Sequence, residues 1–167
     1  IKQLQNPIKP SIALLRGHGE LEGINIEDLT TSLTQQYSVD KINLREFEVD
    51  SLGNPDLGKK LVDLKRKKLL LIAKPISKFE NLDKYFIDQY IMNGGKVIWM
   101  IESTNADIDS LANKGSFLAY PLRDLNLGDQ LFKYGVRVNS NLIEDVSSSK
   151  IPVPISFVND VPNWELL

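Results

Sequence analysis

A doubly wound α/β domain, with a mostly parallel sheet and helices on both faces, is predicted from three observations. Short apolar runs at Ser11 to Arg16, Leu69 to Ala73 and Lys96 to Ile101 are bounded by proline, glycine or charge, as strands buried on both faces require. Segments with helical spacing of apolar residues lie between them, and strand–helix–strand alternation implies right-handed crossovers. The chain has 167 residues, 42% of them hydrophobic and 25% charged, which is enough for one domain with its own core.

Residues 1–10 carry Pro7 and Pro10 and read as a linker, leaving 11–167 as the domain. Ser11 to Arg16 is the first strand. Asn25 is expected to cap the next helix, with Asp28 as a weak capping-box partner, and Leu29, Leu33 and Tyr37 give that helix one apolar face. Ser38 to Leu44 alternates enough for a second strand. Residues 45–56 are loop, with "SLGNPD" the clearest turn, and Leu57 to Arg66 is a short helix. Leu69 to Ala73 is the third strand, ended by Lys74-Pro75. Glu80 to Asn93 is the strongest helix, stopped at Gly94-Gly95, where Gly95 is the first choice for a left-handed residue and Gly94 the second. Lys96 to Ile101 makes the fourth strand. After a polar loop, a helix from Leu127 to Tyr134 closes at Gly135, and Val136 to Ile143 and Ile151 to Val158 are expected as later strands. No internal repeat is visible. The pattern is Rossmann-like or flavodoxin-like.

Composition removes several function classes. A net charge of −2 gives no basic excess for nucleic acid. With no cysteine, disulfides, thiolate zinc sites, Fe–S clusters and a cysteine nucleophile are excluded, and one histidine makes a transition-metal site poor, so neither metal nor cofactor is expected. No run of about 18 apolar residues is present to span a bilayer. The start at Ile1-Lys2-Gln3 carries no signal peptide and the end at Leu166-Leu167 is apolar. The chain reads as a piece of a longer protein, and cysteine-free composition suits the periplasm.

The stretch "RGHGELEGIN" (16–25) holds the lone His18 between Gly17 and Gly19, with Glu20 beyond, directly after the first strand. Ligands of doubly wound sheets bind at the carboxyl ends of strands, where strand order reverses, so His18 and Glu20 are candidate contacts, with Lys74 after the third strand. Catalysis would need a nucleophile and an orienting acid near the histidine. No G-x-S-x-G elbow exists, "LIAKPIS" offers lysine and proline in its place, and a dinucleotide fingerprint would need glycine where Glu22 stands. A turn outranks a reaction centre here. On the helix 80–93, Leu82, Tyr85, Phe86 and Tyr90 form the expected core stripe with Gln89 projecting from its middle, which makes Gln89 a candidate buried hydrogen-bonding group. Asp88 reads as a solvated partner of Lys84. The basic run Lys65-Arg66-Lys67-Lys68 precedes a very apolar strand, so solubility explains it, and a contact with phospholipid head groups or an acidic partner is the alternative.

Three phrases, "LLRGHGELE" (14–22), "YFIDQYIMNGGKVIWMIE" (85–102) and "DLNLGDQLFKYGVRVNSNLIED" (124–145), resemble the gliding-motility-associated ABC transporter auxiliary (GldG) family, within the broader ABC-type uncharacterised transport system group. The resemblance runs from about Pro10 to Trp164. It implies a larger, membrane-anchored protein with an extracytoplasmic, periplasmic region, encoded with an ABC permease and an ATPase and customarily described as substrate-binding. It also implies a class I glutamine amidotransferase-like fold without the catalytic cysteine. The matched positions are Gly17, His18, Gly19 and Glu20; Asp88, Gln89 and Tyr90; Gly94 and Gly95; and Leu131, Phe132, Tyr134, Gly135, Arg137 and Asn139. Arg137 is the cation there free to meet a carboxylate. The resulting expectation is a non-catalytic binding domain with no catalytic residues, with a hydrolase or amidotransferase-like enzyme using the His18/Glu20 loop as the alternative.

Overall fold

The computed structural model describes residues 9–49, 52–106, 118–121, 124–142, 145–147, 152–158 and 161–166. Four parallel strands form the main sheet: β1 (Ser11–Arg16), β2 (Ser38–Asn43), β3 (Leu70–Ala73) and β4 (Val97–Met100), in the order β2-β1-β3-β4. β1 pairs with β2 from Ser11↔Ser38 to Arg16↔Asn43, and with β3 at Ala13↔Leu70 and Leu14↔Leu71. β3 pairs with β4 from Leu70↔Val97 to Ala73↔Met100. Strand order therefore reverses between β1 and β3, the switch point of a flavodoxin-like sheet.

Three helices form the crossovers: α1 (Ile24–Thr34), α2 (Leu57–Lys65) and α3 (Asn81–Met92). Because side chains alternate across a strand, Ala13, Leu15, Leu70 and Ile72 face one way, into a core completed by Leu64 of α2 and Phe86, Ile87 and Tyr90 of α3. Leu14, Leu71 and Ala73 face the other way, against Ile26 of α1. The doubly wound expectation holds. The middle of β1 (Ile12 to Leu15) and all of β3 are apolar and buried because both of their faces are covered, whereas β4, at the edge, leaves Ile98 and Met100 exposed.

Several local expectations are corrected. Gly23, not Asn25, occupies the N-cap of α1, and no side chain caps it. The buried side of α1 runs through Ile26, with Thr30 and Leu33 partly buried on it, while Leu29 is exposed and Tyr37 lies beyond the helix end. Asp56 caps α2 by accepting from the Lys59 amide at 2.8 Å. Helix α3 ends in a Schellman motif: the Gly94 N–H donates to Ile91 O and the Gly95 N–H to Tyr90 O, both at 2.9 Å. The left-handed residue is Gly94 (φ +86), not Gly95. Gly95 is required for space, since a Cβ there would lie 2.5 Å from the Tyr90 ring.

A short helix, α4 (Gly128–Lys133), is followed by Gly135 at φ +83. Val136–Leu142 is irregular rather than a strand, and Ile143 lies outside the described residues. The later strand is present as β7 (Pro152–Val158), but it pairs antiparallel with β8 (Val161–Leu166) in a separate hairpin instead of extending the main sheet. A further antiparallel pair, β5 (Thr104–Asn105) with β6 (Tyr120–Pro121), lies after β4. Among the described residues no helix is long and apolar enough to cross a membrane.

Candidate functional site

The loops leaving β1 and β3 meet at the switch point. The Ile76 and Ser77 amides both donate to the His18 carbonyl at 2.9 Å, and the Leu21 amide donates to Ala73 O at 2.9 Å. Gly19 makes this approach possible: its φ is +72, and a Cβ would sit 2.4 Å from Ile76 Cγ1. At Gly17, with φ +106, a Cβ would sit 2.6 Å from Asn43 Oδ1. The crevice where doubly wound proteins take a ligand is here filled by the chain itself.

His18 is fully buried beneath that closure. Its Nε2 lies 3.0 Å from Asp83 Oδ2, and its Nδ1 lies 3.3 Å from Glu20 Oε1. The second contact is an ion pair with poor hydrogen-bond alignment, for neither atom has a hydrogen-bond partner among the described residues. The other oxygen of Glu20 accepts the His18 backbone N–H at 2.8 Å. Phe79 stacks on the imidazole, ring centroids 3.9 Å apart and planes 5° from parallel. Asp83 Oδ2 also accepts from Arg45 Nη2 (2.9 Å) and Nε (3.2 Å) and from the Glu80 amide (2.9 Å), the last closing the capping box of α3. With its ring protonated, His18 joins Arg45 in balancing the two carboxylates, Glu20 and Asp83.

Electrostatics follow from this enclosure. Burial works against the charge on His18, but hydrogen bonding and charge contact with Asp83 and Glu20 outweigh it, and its pKa is raised. Burial alone would raise the carboxyl of Asp83; the bonds from His18, Arg45 and the Glu80 amide instead hold it at about 2. Glu20 is lowered in the same way, its burial overcome by His18. The raised pKa favours the protonated ring between these two carboxylates, with Nε2 bonded to Asp83 and Nδ1 facing Glu20. The ring holds β1 to α3, and no face of it is open to a substrate.

The remaining expected residues lie apart from this cluster. Lys74 follows β3 in a left-handed conformation (φ +51), the position where α/β hydrolases hold a nucleophile, and its ammonium pairs with Glu102 at 2.9 Å. Arg137 is exposed beyond α4, at the edge of a cleft of about 520 Å³. Gln89 is only partly buried, because α3 is rotated from the expected phase: Asp83, Phe86, Ile87 and Tyr90 face inward while Leu82 and Tyr85 are 38% and 47% exposed. The polar group on the buried face is Asp83, which sequence reasoning missed together with Arg45. Asp88 accepts from the Tyr134 hydroxyl at 2.6 Å, and Lys84 pairs with Asp129 at 2.6 Å rather than with Asp88. In the basic run, Lys67 pairs with Asp40 and Arg66 with Asp63. Among the described residues, no group of three or more histidine or acidic side chains is arranged to hold a metal ion.

Comparisons with known proteins are sparse. No curated protein matches. The solved structure of the mmIFT52 N-terminal domain is similar at a TM-score of 0.41 and 18% identity, over 56% of this chain and 36% of that one, a likeness that carries no argument about function. The family model of the ABC-type uncharacterized transport system matches residues 9–164, which takes in the β1 loop, α3 and the Arg137 segment together. The chain belongs to that family of ABC transport auxiliary proteins.

Proposed function

We propose that this chain is the non-catalytic, extracytoplasmic domain of a membrane-anchored ABC transport auxiliary protein of the gliding-motility group. It acts by contact with the ABC permease and, through it, the ATPase subunits, or with a captured ligand. The observation that carries this reading is the closed switch point. A histidine base must be reachable by substrate and have a nucleophile beside it. Here the ring is sealed by Phe79, Asp83 and Glu20, and the residue at the elbow position is the ion-paired Lys74. On this reading, the sequence resemblance to class I glutamine amidotransferases carries no reaction with it.

Contact falls to the open part of the rim. The cleft between the end of β4 and α4 has an apolar floor of Ile101, Leu125, Leu127 and Leu131, with Arg137 at its edge. Of the three acids lining it, Glu102 is held by Lys74 and Asp129 by Lys84, while Asp124 accepts from the Asn126 amide. An apolar group bearing a carboxylate fits that pairing of surfaces. The test is to isolate the full-length protein from its native membrane after crosslinking. Permease and ATPase subunits should be recovered, and Arg137→Ala should reduce their yield while leaving the protein folded. Turnover of an ester, amide or glutamine substrate that His18→Gln abolishes would overturn the proposal.

A further inference from the structure

At the opposite end of the sheet from the rim, two helix-to-strand turns run side by side. One carries Lys67 and Lys68 from α2 into β3; the other carries Gly94, Gly95 and Lys96 from α3 into β4. They are fastened to each other: the Leu70 amide donates to Lys96 O at 2.8 Å, and the Tyr90 hydroxyl donates to Lys67 O at 3.0 Å while meeting the Lys96 backbone. Between them lies a cleft of about 350 Å³ lined by Lys65, Lys67, Lys68 and Lys96, with no carboxylate in its lining. Asp40 neutralises Lys67. Lys65, Lys68 and Lys96 are exposed at their surface positions.

Protection of an apolar strand accounts for a basic run at 65–68, and a helix C-terminus accounts for one cation near it. Neither accounts for Lys96 arriving from a separate turn onto the same cleft. Four lysines lining one cleft gather like charge, and an anion seated among them relieves the repulsion. We infer that this cleft is a binding site for a phosphate group, either free in a small molecule or carried by a lipid head group. The shape is preorganised, because Tyr90 ties the two turns together and Gly95 packs directly on its ring. Lysine suits the role as a mobile point charge that needs no fixed fork geometry. The site stands independently of the function proposed for the rim.

The test measures binding of sodium pyrophosphate by calorimetry and flotation with vesicles of equimolar phosphatidylglycerol and phosphatidylcholine, against phosphatidylcholine alone. The variant Lys65→Gln/Lys68→Gln/Lys96→Gln is compared with Lys41→Gln/Lys78→Gln/Lys133→Gln, which removes the same charge from exposed lysines elsewhere; circular dichroism confirms that both are folded. The expected result is binding in at least one arm, weakened roughly tenfold or more in the first variant and nearly unchanged in the second. Pyrophosphate binding alone assigns a soluble ligand; vesicle binding alone assigns a lipid head group. Equal weakening in both variants would reduce the effect to general charge, and binding in neither arm would remove the site; either result overturns the inference.

Discussion

Replacing Asp83 with asparagine keeps the shape of the buried bridge and removes its charge. Asp83 titrates at about 2 in the folded chain against an ordinary 3.8. At roughly 1.4 kcal/mol per pH unit, that gap corresponds to about 2.5 kcal/mol of stability carried by the carboxylate. The sign follows from the direction. A carboxyl whose folded value is depressed contributes fully above its unfolded value and loses that contribution as pH falls through the folded one. The substitution also strands the buried imidazolium, and removing one partner of a buried pair costs about 3–5 kcal/mol. Arg45 is 43% exposed and recovers part of its loss by solvation. The expected cost is therefore about 2–4 kcal/mol at pH 6. Urea unfolding followed by circular dichroism, at pH 6 and in steps down to pH 2, measures it. Wild type should lose stability between the ordinary and folded values of Asp83, and Asp83→Asn should lack that component. A loss below about 0.5 kcal/mol with the acid slope unchanged would show that Asp83 does not hold β1 to α3.

On the alkaline side, His18 has a raised pKa, so its contribution is full below 6.5 and disappears as pH rises through the folded value. Wild type should become less stable above pH 6.5, and His18→Gln, less stable from the start, should be flatter there in thermal melts. Gly19→Ala should cost about 1–3 kcal/mol from its backbone conformation alone, and Ile76→Ala in the same chain should recover the steric part, read as a non-additive double-mutant cycle. Gly95→Ala should lower the melting temperature more than Gly94→Asn, because only position 95 abuts the Tyr90 ring; the reverse order would move the tight contact elsewhere. Gln89→Leu and Gln89→Ala should both stay within about 1 kcal/mol of wild type by denaturant titration, as expected of a partly buried residue outside the core stripe.

Strands β1 and β3 were the most legible because both of their faces are covered, which makes Ile12 to Leu15 and Leu70 to Ala73 unbroken apolar runs, a signal that survives in a single sequence. The placement of "RGHGE" after β1 was legible for the same reason, since the fold puts that loop at the switch point. What the loop does there was not. Its partners are Asp83, 65 residues away, and Arg45, in a loop that carried no motif. Asp83 left one local trace: it stands three residues after Glu80, the N3 place of a capping box. The phase of α3 went astray because Leu82, Tyr85, Phe86 and Tyr90 make an acceptable stripe, and only burial of the ion cluster turns the helix toward Asp83 and Ile87. The β7–β8 hairpin was half seen. Its first strand was expected, while Val161–Leu166 was not, because Pro162, Asn163 and Glu165 interrupt any apolar pattern there.

His18 is the only histidine in the chain, so its ring gives one unambiguous set of NMR signals. A nitrogen- and carbon-detected pH titration of that ring tests the closed, bridging switch point most directly. The closed bridge predicts both ring nitrogens protonated below the midpoint, a midpoint above 6.5, slow exchange of the ring protons with solvent, and loss of the elevated midpoint in Asp83→Asn. A midpoint at or below 6.5, with a neutral tautomer and rapid solvent exchange, would contradict it and reopen the loop as a site of catalysis.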